Sequence, residues 1–286
     1  MIWVERISSL AKGPVALLSS LSAATGFVLA RGAVTGSVVP FFGAIFLLAA
    51  GTAILNQYQE RSSDSAMERT KQRPIPAGEV SPAAALMASI LSLCCGFILL
   101  GVLFGVIPVL LGVLSVVLYN GIYTYLKKIT AFASIPGAVA GALPPLMGYS
   151  AAGGRLTDPL AVWLLVFFYI WQIPHFWLLM GIHGDDYRRA NFPSLQTRLA
   201  DLGLGRVVFN WIIATACVAL LFPMFGDVQH SFIVILLSGL AFGTGWLVWP
   251  LTRKTDHSVA VFRRAFMVVN RFVLAFMILL FVDRGV

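Results

Sequence analysis

Runs of about twenty mostly apolar residues with few charges, separated by short polar connections, constrain this chain more than any other feature. Hydrocarbon ~30 Å thick is crossed by a helix of about twenty residues, and lipid offers no partner to an unpaired backbone N–H or C=O. Nine such runs are expected to be helices: roughly 14 to 32, 38 to 57, 82 to 104, 106 to 126, 131 to 150, 159 to 180, 206 to 225, 230 to 250 and 264 to 283. Composition agrees, since 59% of the residues are hydrophobic, 11% are charged and the mean hydropathy is +0.88. No soluble core of this length hides so much apolar side chain. The expected fold is therefore all-α: a polytopic membrane bundle of about nine transmembrane helices around a central cavity, built as a single domain over residues 1–286.

The third and fourth runs are separated at Gly105 and should form a tight antiparallel hairpin. Pro108 then falls near the first turn of the later helix, where its missing N–H does least harm. The fifth run, from Ile135 to Tyr149, is rich in Gly and Pro, which in a membrane bundle permit close helix contact and a kink. If the loops alternate sides, sixteen of the twenty Lys and Arg residues fall on the N-terminal side. Such asymmetry puts the N-terminus in the cytoplasm and, after nine crossings, the C-terminus outside. The net charge of +8 is thus first a topology signal, and nucleic acid is not an expected partner. Cys94, Cys95 and Cys217 lie inside apolar runs without metal or disulfide spacing and read as packing residues. No cleavable signal pattern precedes the first run.

Against this background the segment from Asn56 to Pro74 is a dense polar island. Asn56, Glu60, Asp64 and Glu68 recur every four residues and would form one polar stripe on a helix, followed by Arg69, Lys71 and Arg73. Acids at this spacing repel unless cations lie between them, and Mg²⁺ favours carboxylate and carbonyl oxygens together with substrate phosphate oxygens. A metal-bound diphosphate is the guest that suits both charge types. The alternative is a solvated loop whose charges only set topology.

A second polar segment, Trp171 to Pro193, also descends from an intramembrane amide, Gln172, to acids (Asp185, Asp186) and arginines (Arg188, Arg189). Asp64 and Asp186 are 122 residues apart, with four spans counted from one motif-bearing span to the next, which suits an internal repeat of about 14–126 and 131–250 with a final helix at 264–283. A third cluster holds Tyr119, Asn120, Tyr123, Lys127, Lys128 and Thr130. Tyr119, Tyr123 and Lys127 share a helical face. Lysines there would neutralise diphosphate, and aromatic faces would stabilise an allylic cation; interfacial tyrosines and snorkelling lysines are the plainer reading.

The pattern Asn56-x3-Glu60-x3-Asp64-x2-Met67-Glu68-Arg69-Thr70-x2-Arg73-Pro74 resembles the signature of the UbiA superfamily of intramembrane prenyltransferases. Tyr123-x3-Lys127-Lys128-x-Thr130, Gly137-x3-Gly141-Ala142-x-Pro144-Pro145-x2-Gly148, Trp171-Gln172-x-Pro174-His175-Phe176 and Asp186-Tyr187-x2-Ala190 follow in the order seen in its heme O synthase family. Glu60 stands where Asp is common, and Ser62 and Ser63 replace an acidic and an apolar position. Lys12-Gly13-Pro14 only approximates the family's Lys-Pro-Arg, and Ala190 leaves the second loop without an Asp-x3-Asp repeat, as is usual for heme O synthases.

The resemblance implies a Mg²⁺-dependent transfer of farnesyl from farnesyl diphosphate to a vinyl group of heme B, a substrate here and not a cofactor, giving heme O. It implies metal binding by Asn56, Glu60 and Asp64, with Asp185 or Asp186 as further ligands. Arg69, Arg73, Lys127 and Lys128 would bind diphosphate, Tyr123 would act beside the reacting carbon, and His175, Trp171 and Gln172 would contact heme. For His175 an interhelical hydrogen bond is an equal alternative. The setting would be a bacterial inner membrane, with catalytic loops in the cytoplasm and a downstream heme A synthase as partner. Two other readings remain open: a UbiA-type enzyme acting on an aromatic quinone precursor or other macrocycle, and a membrane transporter.

Overall fold

In the computed structural model the described residues are 2–193, 195, 199, 203–253 and 258–285, with side chains described from Glu5 onward. Helices α1 (Ile2–Leu10), α2 (Gly13–Arg31), α3 (Val38–Ser65), α4 (Pro82–Phe104) and α5 (Val106–Leu126) form the first half. Then come α6 (Ser134–Ala151), α7 (Pro159–Ile182), the short α8 (Gly184–Arg189), α9 (Leu204–Leu220), α10 (Phe222–Phe225), α11 (Ser231–Val248) and α12 (Val259–Gly285). Each of the nine expected runs is helical. Among the described residues seven helices are long and apolar enough to cross a membrane; α9, at 17 residues, is shorter, and α6, with Pro144 and Pro145 inside it, is not among the seven.

Two boundaries depart from the expectation. α3 continues eight residues past 57, so Asn56, Glu60 and Asp64 are carried on one rigid helix, all buried. Glu68 is not on that stripe, because the helix ends at Ser65 and Glu68 lies exposed beyond it, paired with Lys71. Helix α1 is the second departure: too short and polar to stand out by hydropathy, it is tied down by Gln57, whose Nε2 donates to the Ser9 and Leu10 carbonyls at 2.8 and 2.9 Å.

Gly105 adopts φ +87° between α4 and α5, the left-handed region open to glycine, and makes the expected tight hairpin. The fifth run explains its own composition. A Cβ on Gly148 would lie 1.8 Å from the Ala23 carbonyl oxygen, and one on Gly26 would lie 1.9 Å from that of Pro145, so α2 and α6 touch backbone to backbone. Flexible side chains cannot yield here because the obstacle is main chain. Gly148→Ala is therefore expected to cost about 3 kcal/mol or to part the helices, read as a lowered thermal midpoint and a broadened size-exclusion peak in detergent.

The apolar core runs through α2, α3, α6, α7 and α12 and contains the stacked rings of Trp163 and Phe167 with Phe276 tilted against them. Lipid-facing residues such as Val102, Ile235, Phe242 and Trp246 are as apolar as the interior, the expected arrangement where the solvent is hydrocarbon. The connections that follow α3, α5 and α7 gather at one end of the bundle, and there the buried charge collects.

Candidate active site

The site is built on the C-terminal end of α3. Lys127, just past α5, pairs with Glu60, and Arg73 pairs with Asp64 at 2.7 Å. Both carboxylates are buried, with side-chain exposures of only 5%, so these pairs sit in a medium of low dielectric. Asn56 accepts a hydrogen bond from Lys12 Nζ at 2.7 Å and donates to Thr124 Oγ1 at 3.2 Å. Thr70 caps the arrangement by donating to the Asp64 carbonyl at 2.9 Å, which turns the chain back toward Arg73.

Lys12 is a site residue that sequence reasoning misses. It lies in the two-residue break between α1 and α2 with φ +48°, and sequence counting assigns it to topology. Burial, reinforced by Arg73, pulls its pKa down to about 7. A positive cluster of Lys12, Arg73 and Lys127 around two carboxylates is short of negative charge. The signal that pointed to it was the partial Lys-Gly-Pro match alone.

The π-helical turn Val117–Tyr123 shapes the neighbouring wall. Thr124 Oγ1 donates to the Tyr119 carbonyl at 2.9 Å, and Asn120 and Gln59 are hydrogen-bonded reciprocally at 3.0 and 3.1 Å. Such bulges widen a helix locally and are frequent at functional sites. Tyr119 and Tyr123 stack at 5.6 Å, Lys127 Nζ lies 5.5 Å from the Tyr123 centroid, and Gly137 leaves room for the Tyr123 ring. Lys128 takes another direction and stacks on the exposed Tyr125 ring at 5.8 Å.

The two polar loops meet. Asp186 is buried and accepts from the backbone N–H groups of Glu68 and Arg69 at 3.2 and 3.3 Å. Its carboxylate thus holds the loop that carries Arg69 and Arg73. Asp185 is exposed and pairs with Arg188. Arg69 is exposed at the rim. Tyr187, beside Glu60 and Arg69, has its phenol pushed above the ordinary value by burial. His175, Trp171 and Gln172 lie on α7, one aromatic layer farther in: Phe176 contacts Tyr123 at 5.5 Å, and the His175 and Trp171 rings are 5.2 Å apart. Arg198, one of the sixteen basic residues counted on the N-terminal side, lies outside the described residues.

Oxygen donors of Asn56, Glu60 and Asp64 on one buried helix face suit a hard divalent ion. No group of three or more His, Cys, Asp or Glu side chains converges among the described residues, so further ligands would come from substrate and water.

Residues 18–270 match the UbiA prenyltransferase family. A protoheme IX farnesyltransferase of Geobacter sulfurreducens is 40% identical over 212 residues, covering 74% of this chain and 78% of that one. Another of that description, from Oleidesulfovibrio alaskensis, is 35% identical over 282 residues, 97% and 95% of the two chains. Among solved structures, digeranylgeranylglyceryl phosphate synthase has a TM-score of 0.75 at 13% identity, covering 98% of this chain and 99% of that one. A UbiA homolog from Archaeoglobus fulgidus bound to GPP and Mg²⁺ has a TM-score of 0.68 at 12% identity, covering 97% and 99%. The chain belongs to the UbiA prenyltransferase family.

Proposed function

We propose that this protein transfers farnesyl from farnesyl diphosphate to a vinyl group of heme B, giving heme O. The observation that carries the donor half is the internal pairing of the site: buried Glu60 and Asp64 are each paired with a cation of the same chain. A metal–diphosphate complex brings both signs of charge at once. It can replace each partner without leaving a buried charge unpaired, whereas either ion alone cannot. Relatives named protoheme IX farnesyltransferase, matching 74% and 97% of the chain, support the acceptor half.

Asn56, Glu60 and Asp64 would hold Mg²⁺, which when bound neutralises diphosphate charge and eases its departure. Lys127, Arg73 and Lys12, released from their present partners, take the diphosphate oxygens, with Arg69 at the rim. The farnesyl C1–O bond breaks, diphosphate carries away the electron pair, and the allylic cation develops beside the Tyr119 and Tyr123 rings, whose faces stabilise it. A vinyl carbon of heme B forms the new C–C bond. Water captures the resulting cation and loses a proton, leaving the hydroxyethylfarnesyl group. Asp186 acts as a clamp on the diphosphate loop. We assign the polar end of the bundle to the cytoplasmic side of a bacterial inner membrane, from which heme O would pass to a heme A synthase.

The test is purified protein in detergent with Mg²⁺, farnesyl diphosphate and heme B, with the porphyrin product followed by mass. Heme O is expected, and its formation stops when a chelator removes the metal. Prenylation of a different acceptor would retain the donor site and reject heme; no transfer to any acceptor by folded protein would reject the reading. Asp186→Ala frees two loop N–H groups and is expected to raise KM for the prenyl donor about tenfold with a smaller change in kcat, measured by steady-state kinetics.

A further inference from the structure

The aromatic layer beneath the charged site contains a histidine whose tautomer is set by a residue on the last long helix. Asn270 of α12 donates through Nδ2 to the Phe266 carbonyl at 2.6 Å, which turns its Oδ1 toward His175 Nδ1 at 2.8 Å. An amide oxygen has no proton to give, so the imidazole Nδ1 carries the hydrogen and donates it. Nε2 is left as a lone pair, with no hydrogen-bond partner among the described residues. The ring is held by Trp171, Phe176 and Phe266, at centroid distances of 5.2, 5.6 and 5.0 Å.

A second observation points to a ligand. The Trp171 indole N–H is buried and unpartnered among the described residues, and buried donors are rarely left so. One free acceptor nitrogen and one free donor, side by side in an apolar surround, suit a flat apolar molecule with a Lewis-acidic centre and an acceptor group at its edge. Heme B has that chemistry, with iron and propionates. Phe176, next to His175, reaches Tyr123, over which Lys127 lies, so a molecule bound here borders the donor site.

We propose that Asn270 is a positioning residue for the acceptor: by holding His175 in the Nδ1–H tautomer it presents Nε2 to the iron of heme B, while Trp171 Nε1–H donates to the porphyrin's polar edge. The inference rests on the heme-acceptor reading above. Partners that fix an imidazole in this way orient metal-binding histidines and raise their basicity. A plain interhelical bond between α7 and α12 would use Nδ1 alone and give Nε2 no role.

The experiment titrates hemin into the purified full chain in detergent, reading the Soret band and the electron paramagnetic resonance of the ferric iron, with thermal midpoints recorded alongside. Wild type is expected to give a saturable nitrogen-ligated spectrum. His175→Gly loses that spectrum and regains it with added imidazole. Asn270→Leu weakens hemin binding by about tenfold or more, and Asn270→Asp, which keeps an acceptor, restores it. A merely structural Asn270 would move the thermal midpoint and leave the spectrum unchanged. If wild type forms heme O while His175→Gly binds hemin with an unaltered spectrum, the inference falls and the proposed function stands. If wild type neither binds hemin nor prenylates it, both fall.

Discussion

Asp64→Asn lowers the rate of farnesyl transfer by about 10³-fold while leaving the protein folded and inserted. Asp64 is 3% exposed, and its Oδ2 accepts from Arg73 at 2.7 Å. An amide of the same shape still offers one oxygen to Arg73, and the Thr70 bond goes to the backbone carbonyl, which the substitution does not touch. Packing and loop closure therefore survive. What disappears is a negative charge needed to hold a divalent cation against diphosphate. Product formation by mass, beside detergent size-exclusion and thermal midpoint, checks both halves. Activity within tenfold of wild type would remove Asp64 from the metal-binding set.

Lys127→Met is expected to fail differently, with loss of stability and loss of turnover together. The Glu60 and Lys127 side chains are 5% and 13% exposed, so truncating the cation strands a buried carboxylate, at a cost of about 3–5 kcal/mol. The diphosphate loses the lysine that faces Glu60 in the same step. The two effects separate in the double variant Glu60→Gln/Lys127→Met. Neutralising both partners should return the thermal midpoint close to that of wild type, because a buried ion pair contributes little net stability over a neutral pair. Catalysis should stay lost. Recovery of activity along with stability would mean that Lys127 serves only to neutralise Glu60.

Helix existence was legible because hydrocarbon demands long apolar runs, whatever the tertiary arrangement. The site residues on α3 were legible because polar side chains repeating every four residues out of such a run are costly in lipid unless they meet charged or polar groups. Glu68 shows the limit: the repeat continues in sequence after the helix has stopped at Ser65, and nothing in the spacing marks that end. Lys12 shows the converse, a residue counted for topology that the break between α1 and α2 turns inward onto Asn56. Asn270 was invisible for the same reason, since its partner His175 is 95 residues away and Asn270 itself lies in none of the motifs.

The sequence by itself determined that the chain is a helical membrane protein, that its buried charge gathers at one end, and that the charge has the types suited to a metal and a diphosphate. These follow from local rules, namely backbone satisfaction in lipid and helical periodicity. Only the tertiary structure decided which acid meets which base, that Asp186 clamps a loop instead of joining Glu60 and Asp64, and which nitrogen of His175 is left open. Those choices depend on groups brought into hydrogen-bonding distance from segments far apart in sequence. A hydrogen bond or ion pair changes from strong to negligible over about an ångström, a distance that residue spacing does not encode.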